Sequence, residues 1–82
     1  MGRLRVLPGK ELLAVFRAFG FEVHGQRGSH LKLRRAGPGG RNETLVIPNH
    51  DELDKGTLQA IFRQASRFID PSSLRRHFYH DE

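Results

Sequence analysis

The chain has 82 residues, enough for one domain with a modest core and too few for a second folded unit. It has no cysteine, which excludes disulfides, zinc–cysteine sites and thiol nucleophiles and is compatible with a reducing cytosol. No stretch approaches the roughly 18 consecutive apolar residues of a membrane span, and residues 1–5 lead into no apolar run of a signal peptide. We therefore expect a soluble, cytoplasmic protein with no membrane partner.

The chain is strongly basic. Fourteen lysines and arginines against nine aspartates and glutamates give a formal charge of +5 and a pI of about 10.8. A pI above roughly 9 makes nucleic acid a natural partner. RNA, DNA or an acidic protein could each supply the opposite charge, and many small basic domains merely have solvated surfaces. Charge therefore favours a polyanionic partner without choosing among these.

The first predicted element is an amphipathic helix between Pro8 and Phe19. Its apolar residues recur near a 3.6-residue period: Leu12, Leu13, Val15, Phe16 and Phe19. Pro8 suits the first turn, because its missing N–H would have no helical partner there, and Gly20 can adopt the left-handed conformation that closes a helix.

Three runs with period-two alternation follow and predict strands at 21–24, 30–34 and 43–47. The first two are separated by Gly25-Gln26-Arg27-Gly28-Ser29, whose glycines allow the positive φ angles of a hairpin turn or a bulge. The third follows the glycine-rich loop 37–40 and ends at Pro48, which cannot donate to a sheet ladder. We expect an antiparallel three-stranded meander.

A second amphipathic helix is predicted after the turn 48–50, with Asp54 as its N-cap. Its apolar positions are Leu58, Ile61, Phe62, Ala65 and Phe68 or Ile69. A further N-cap pattern at Asp70-Pro71-Ser72-Ser73 predicts a short third helix from Pro71 to about Tyr79.

The order of these elements predicts an α+β fold with the sequence α-β-β-β-α, in which the helices cover one face of the sheet. That face is expected to bury Phe21, Val23, Leu31, Leu33, Leu45 and Ile47. We place the core of the single domain at about 8–69 and a C-terminal extension at 70–82.

The second strand carries the residues best suited to chemistry. If Leu31 and Leu33 face the core, His30, Lys32 and Arg34 project together from the other face. Cations attract phosphate, and a histidine can exchange a proton with the 2′-hydroxyl or the leaving oxygen of an RNA phosphodiester. RNA then supplies its own nucleophile, so no metal is required. The pattern alone leaves open that His30 is simply a polar surface residue.

Several segments, in chain order, carry a resemblance to a known family. They are Lys10-Glu11-Leu12-Leu13 followed by Gly20-Phe21, the loop from Gly25 to His30, Ile47-Pro48-Asn49-His50, Lys55-Gly56-Thr57-Leu58, and the spacing of Ile61, Gln64 and Ala65. Together they cover about residues 8–66, and the chain resembles the HicA-type mRNA interferase toxins (YcfA-like family). Where that family commonly closes its second helix with a glycine, this chain continues Ala65-Ser66-Arg67.

The resemblance implies a fold like that of a double-stranded-RNA-binding domain, ribosome-independent cleavage of mRNA, and neutralisation by a HicB-type antitoxin. Matching the signature loop residue by residue makes His30 catalytic, with Gly28 and Ser29 shaping the loop that presents it. Ser29 is equally open to a role in satisfying backbone groups of the turn. We expect no cofactor.

Other residues are candidate contacts to RNA. Residues 55–57 begin the second helix, where free amides, the helix dipole and a lysine can converge on one phosphate, although a solvated helix start is the alternative. Arg27 and Lys32 lie near His30 and are better placed to stabilise charge at the scissile phosphate. With Ser29, the candidate RNA-binding residues are Arg27, Lys32, Lys55, Gly56, Thr57 and, at the start of the first helix, Lys10.

The remaining histidines are weaker candidates for chemistry. His24 is expected to face solvent, and His50 either positions RNA or hydrogen-bonds its own turn. His77 and His80 fall in the extension. No pair shows the i, i+4 spacing with an adjacent glutamate that a catalytic zinc motif uses, so no metal site is expected.

Two other functions fit the same features. One is a non-catalytic module that binds double-stranded RNA, and the other is an interaction domain whose basic face is covered by an acidic antitoxin. The extension, with Arg75-Arg76-His77-Phe78-Tyr79, could pack on the core, bind the antitoxin or help form a homo-oligomer.

Overall fold

The computed structural model describes residues 2–80 and has the predicted α-β-β-β-α order, extended at both ends. Its elements are β1 (Arg3–Leu4), α1 (Gly9–Ala18), β2 (Glu22–Arg27), β3 (His30–Ala36), β4 (Asn42–Pro48), α2 (Lys55–Ala65), α3 (Pro71–Phe78) and β5 (Tyr79–His80). Strands β2, β3 and β4 form an antiparallel sheet in that order, and β1 pairs with β5. The predicted α+β fold and the short C-terminal helix are confirmed. Within residues 2–80, no helix is long and apolar enough to cross a membrane.

Helix α1 closes as its sequence predicts. Gly20 takes a φ of 94°, in the left-handed region that favours glycine. The amides of Gly20 and Phe21 donate to the carbonyls of Arg17 and Phe16, at 2.9 and 3.0 Å, which is the Schellman arrangement of a helix end. The Phe21 ring then meets the Phe16 ring edge-on, with centroids 6.1 Å apart. The turn out of the helix therefore delivers Phe21 into the core.

The hairpin between β2 and β3 is tighter than predicted. The expected loop at 25–29 is wrong in extent, because β2 continues to Arg27 and only Gly28 and Ser29 form the turn. Gly28 has a φ of 58° at the turn, whereas Gly25 follows a bulge that begins at Val23. Of the two glycines, Gly28 alone takes a positive φ, and the bulge leaves His24 exposed and outside the register of paired residues.

The core lies between one face of the sheet and the three helices. Its buried apolar residues are Leu7, Leu12, Phe16, Phe21, Leu31, Leu33, Leu45, Ile47, Leu58, Ile61, Ala65, Ile69, Leu74 and Phe78. The predicted burial of Val23 is wrong, since 39% of this residue is exposed. It pairs with Leu33 and so lies on the inner face. However, β2 is an edge strand, and the helices that cover this face pack against β4 at the opposite edge of the sheet.

Helix α2 ends earlier than its apolar pattern predicts. Its last residue is Ala65, and Phe68 and Ile69 follow in a turn whose amides donate to the Ala65 carbonyl at 3.0 and 2.9 Å. The hydroxyl and the amide of Ser66 both donate to the Phe62 carbonyl, at 2.8 and 2.9 Å. A serine and a tight turn therefore close this helix, where the toxin family that the sequence resembles commonly has a glycine.

Helix α3 packs on the core. Leu74 and Phe78 are fully buried, and the Phe78 ring contacts those of Phe16 and Phe62 with centroids 6.2 and 5.4 Å apart. The Arg5 amide donates to the Phe78 carbonyl at 2.7 Å, next to the pairing of β1 with β5. The sequence left open whether this segment packs on the core, binds an antitoxin or helps form an oligomer. These contacts show that α3 packs on the core.

Arg35 joins three parts of the fold that are distant in sequence. Its Nε lies 2.6 Å from Oε1 of Glu43, and its two terminal nitrogens donate to the carbonyls of Phe19 and Phe68 at 2.6 and 2.8 Å. The guanidinium also lies 4.8 Å from the centroid of the Phe21 ring. The side chains of Arg35 and Glu43 are only 23% and 12% exposed, so this cluster fixes the ends of α1 and α2 against the sheet.

Candidate active site

His30 begins β3 and is exposed on the outer face of the sheet. It pairs in register with Arg27 on β2 and Pro48 on β4. Leu31 and Leu33 are buried beneath the sheet, so the alternation puts His30, Lys32 and Arg34 on the opposite side, as the sequence predicts.

The hairpin turn that presents His30 is held against the turn after β4. The Ser29 carbonyl accepts a hydrogen bond from the Asn49 amide at 2.6 Å. Nε2 of His50 lies 2.8 Å from Oγ of Ser29, and the imidazole tautomer decides which of the two donates. The Ser29 hydroxyl thus contacts a second histidine, a partner that neither sequence-based interpretation of Ser29 included.

Helix α1 contacts the turn 48–50 on the side away from the hairpin. The Gly9 amide donates to the His50 carbonyl at 2.8 Å. A Cβ at position 9 would lie 2.6 Å from the Pro48 carbonyl oxygen and 2.7 Å from Cα of Asn49, so only glycine allows this approach. The turn 48–50 is therefore held between the hairpin and α1, with the exposed Lys10 as the next residue along the helix.

Both histidines line one depression, which reaches the start of α2. It has a volume of about 390 Å³ and is lined by His30, Pro48, His50, Glu52, Leu53, Asp54 and Thr57. Sequence reasoning identified Asp54 only as a helix cap and did not single out Glu52. Two carboxylates thus line the depression with the two histidines, a combination that only the tertiary fold brings together.

The start of α2 is occupied by its own carboxylate. The Thr57 amide donates to Oδ1 of Asp54 at 3.0 Å, and hydrogen bonds from the Thr57 hydroxyl and amide lower the pKa of Asp54 below its ordinary value of 3.8. Thr57, a predicted phosphate contact, is therefore engaged by Asp54. Lys55 lines a different depression, with Arg3, Gln59 and His80 among its neighbours, while Gly56 is exposed. The structure does not bring Lys55 into the depression of His30.

The Asp54 cap predicts a pH-dependent contribution to stability. A lowered pKa means that the folded state favours the carboxylate, so the stabilisation is present above pH 3.8 and is lost as pH falls through the folded-state value. We expect Asp54→Ala to lower the free energy of unfolding at pH 7 and to differ less from the parent chain near pH 3. Urea unfolding at both pH values measures this. Asp54→Asn, which can cap without titrating, serves as the control; an Ala variant equally destabilised at both pH values would contradict the prediction.

A second depression joins His30 to the predicted cations. It lies on the outer face of the sheet, has a volume of about 350 Å³, and is lined by Gly25, Gln26, Arg27, His30, Lys32 and Val46. His30 lies at the junction of the two depressions. Arg27 and Lys32 are therefore the predicted RNA contacts that line this second depression with His30.

The other histidines lie apart from these depressions. His24 is exposed at the bulge, the His77 ring contacts the Phe19 ring with centroids 5.5 Å apart, and His80 lies in β5. In the part of the chain that the structure describes, no three His, Cys, Asp or Glu side chains are grouped so that they could hold a metal ion.

Comparison with known proteins identifies a family. The model of a protein family described as the HicA toxin of bacterial toxin–antitoxin systems matches residues 9–66, from the first residue of α1 to the C-cap of α2. No curated protein and no solved structure matches the chain. The matched range contains the three-stranded sheet, the hairpin turn and both histidines of the depression, whereas α3 and the paired β1 and β5 lie outside it.

Proposed function

Because the chain belongs to the HicA family of bacterial toxin–antitoxin toxins, we propose that it is an endoribonuclease that cleaves mRNA, with His30 as its catalytic residue. The observation that carries the proposal is the position of His30. Its exposed imidazole lies at the junction of two depressions, one shared with Arg27 and Lys32 and the other with His50.

The chemistry needs little from the protein because RNA carries its own nucleophile. The 2′-oxygen attacks the adjacent phosphorus while the bond to the leaving 5′-oxygen breaks, so one proton leaves the 2′-hydroxyl and another reaches the leaving oxygen. His30 exchanges one of these protons through its imidazole, and water, to which the site is exposed, exchanges the other. Arg27 and Lys32 stabilise the negative charge that builds up on the phosphate oxygens. No step of this scheme uses a metal.

The remaining cations have a simpler role. Lys10 and Lys55, with the exposed backbone at Gly56, contact phosphates along the RNA outside the scissile group. Such contacts release counterions, so they raise affinity in a salt-dependent way without contributing to the chemical step.

We assign a positioning role to His50. Its side chain is bonded to Ser29, the residue before His30, and its carbonyl is bonded to the start of α1. This arrangement fixes the hairpin turn and hence the direction of the His30 side chain. A misplacement of about 1 Å can cost roughly a hundredfold in rate.

A pair of variants tests this assignment. We expect His50→Ala to lower kcat by about tenfold to a hundredfold, and His50→Gln to recover most of that loss, because a glutamine amide can still bond the Ser29 hydroxyl. The measurement is kcat for RNA cleavage across pH 5 to 9 for both variants. A glutamine variant as slow as the alanine variant would instead make His50 a proton carrier.

Membership of a toxin–antitoxin family implies an antitoxin partner. We propose that this partner is a HicB-type protein and that both act in the cytoplasm, where mRNA is translated. An acidic antitoxin surface would complement the net charge of +5 and cover the cationic outer face of the sheet.

The test of the proposed function uses the purified chain, a labelled RNA and its all-deoxy analogue, each with and without EDTA. We expect cleavage of the RNA alone, undiminished by the chelator. Equal cleavage of both substrates would contradict the proposal, because the deoxy analogue lacks the internal nucleophile. Tight RNA binding without turnover would favour a non-catalytic RNA-binding module.

A further inference from the structure

The depression on the outer face of the sheet is apolar where it adjoins His30. Gly25, Lys32 and Val46 lie in one row across β2, β3 and β4. Gly25 contributes no side chain, and Val46 is 44% exposed although it is large and apolar. The surface that the lining residues expose within the depression is almost entirely apolar, although Arg27, His30 and Lys32 are among these residues.

Hydrogen bonds fix one side of this apolar surface, and the other side is open. The side-chain amide of Gln64 accepts from the Val46 amide at 3.0 Å and donates to the Val46 carbonyl at 3.3 Å, which fixes Val46 at the free edge of β4. At Gly25, a Cβ would meet no atom within 4 Å, so the space above that residue is open. The φ of Gly25 is not positive, so a side chain at this position does not require the left-handed conformation that favours glycine.

A single-stranded nucleic acid has the chemistry that fits this surface. An unstacked base offers a flat apolar face, and the phosphates on either side of it carry negative charge. The charged groups of Arg27 and Lys32, which line the depression, complement those phosphates, and the aliphatic stem of Lys32 can extend its apolar surface. Because His30 lines the same depression, a base bound there belongs to a nucleotide next to the phosphate that His30 reaches.

We propose that the depression formed by Gly25, Lys32 and Val46 binds one nucleobase of single-stranded RNA beside the cleaved bond, an inference that rests on the function proposed above. The base site acts on substrate affinity and sequence preference. The base site therefore helps to determine where along an RNA the chain cuts, whereas His30 carries out the proton exchange.

Filling the depression tests the proposal. In Gly25→Val the new side chain occupies the space of the base, and an RNA series with one base removed at each position around the mapped cleavage site shows which base is affected. If the substitution and the base removal abolish the same contact, the second change has no further effect on kcat/KM once the first has been made. Ala36→Val, an exposed position at the far end of β3, is the control for a bulkier strand residue. Val46→Thr keeps the side-chain shape but replaces one methyl group with a hydroxyl, so it weakens the apolar contact without filling the depression and provides a second test if Gly25→Val fails to fold.

The expected result is specific to one position of the substrate. For the parent chain, removing the base next to the cleaved bond should lower kcat/KM roughly tenfold. For the Gly25→Val variant, removing the same base should leave kcat/KM unchanged. If the decrease in kcat/KM from Gly25→Val multiplies with the decrease from base removal at every position of the RNA, the proposal is wrong. A Gly25→Val chain that releases its antitoxin but binds RNA unchanged would also overturn it, because the depression would then be a protein interface.

The outcome for the base site can be separated from that for the proposed function. If the parent chain cleaves no RNA, the proposed function is wrong, and the same set of oligonucleotides is then compared by dissociation constant, using fluorescence anisotropy. Non-additive losses in affinity would still support the base site, and additive ones would overturn it. If the parent chain cleaves RNA and the losses multiply, only the base site is wrong.

Discussion

Replacing His30 with alanine should lower the rate of RNA cleavage by about a hundredfold to ten-thousandfold, the range for removal of a general acid or base. The side chain is exposed on the outer face of the sheet, so its loss uncovers no core residue and the chain should remain folded. Single-turnover cleavage of a labelled RNA measures the rate, and chemical unfolding measures the free energy of unfolding for the same preparation.

A matched control removes another imidazole from the same hairpin. His24 is exposed at the bulge in β2, outside both depressions that His30 lines, and His24→Ala makes the same chemical change. We expect this variant to cleave RNA at nearly the parent rate. A His30→Ala chain that is folded and cleaves as fast as the His24→Ala chain would remove His30 from the mechanism.

Replacing Arg35 with methionine should lower the free energy of unfolding by about 3 kcal/mol. The change leaves the Glu43 carboxylate, 12% exposed, without its cation and removes the donors bonded to the carbonyls of Phe19 and Phe68. Urea unfolding at pH 7 measures the loss.

Two comparisons show whether the loss belongs to the buried cluster. Arg63→Met removes an exposed arginine from α2 and should change the free energy of unfolding by less than about 0.5 kcal/mol. Adding Glu43→Leu to Arg35→Met should recover part of the stability, because no unpaired carboxylate then remains in the interior. An Arg35→Met chain as stable as the Arg63→Met chain would mean that the cluster contributes little.

The elements that local sequence controls could be predicted. The end of α1 depends on a glycine with positive φ and on the apolar residue after it, and both signals lie within a few residues of Phe16. The outward direction of His30 follows from strand alternation alone. Val23 shows the limit of that pattern, because alternation fixes the face of a residue but not whether a helix covers it at the edge of the sheet.

The Arg35–Glu43 pair was missed although part of its signal is in the sequence. Alternation from Leu31 and Leu33 puts Arg35 on the inner face of β3, and alternation from Leu45 puts Glu43 on the inner face of β4. Opposite charges at two inward positions suggest a buried pair, but only the register of the strands makes them neighbours. The two carbonyls that Arg35 also binds belong to the ends of helices, which no strand pattern can locate.

In the candidate site, too, some features follow from local sequence and others only from the tertiary fold. His30 and its cationic neighbours follow from one hairpin, which local patterns describe. The contact of Ser29 with His50 instead depends on how closely α1 approaches the turn 48–50, and the steric need for glycine at position 9 exists only in the folded chain. The separation of Lys55 from His30 likewise depends on the tertiary fold, because the two residues line different depressions.

The chemical identity of the fragment ends tests the central claim most directly. If His30 promotes attack by the 2′-oxygen of the substrate, mass spectrometry of the RNA cleaved by the parent chain should find a 2′,3′-cyclic phosphate, or the monophosphate formed by its opening, on one fragment and a 5′-hydroxyl on the other. Fragments with a 3′-hydroxyl and a 5′-phosphate would contradict the account, because those ends require attack by water in place of the internal 2′-hydroxyl.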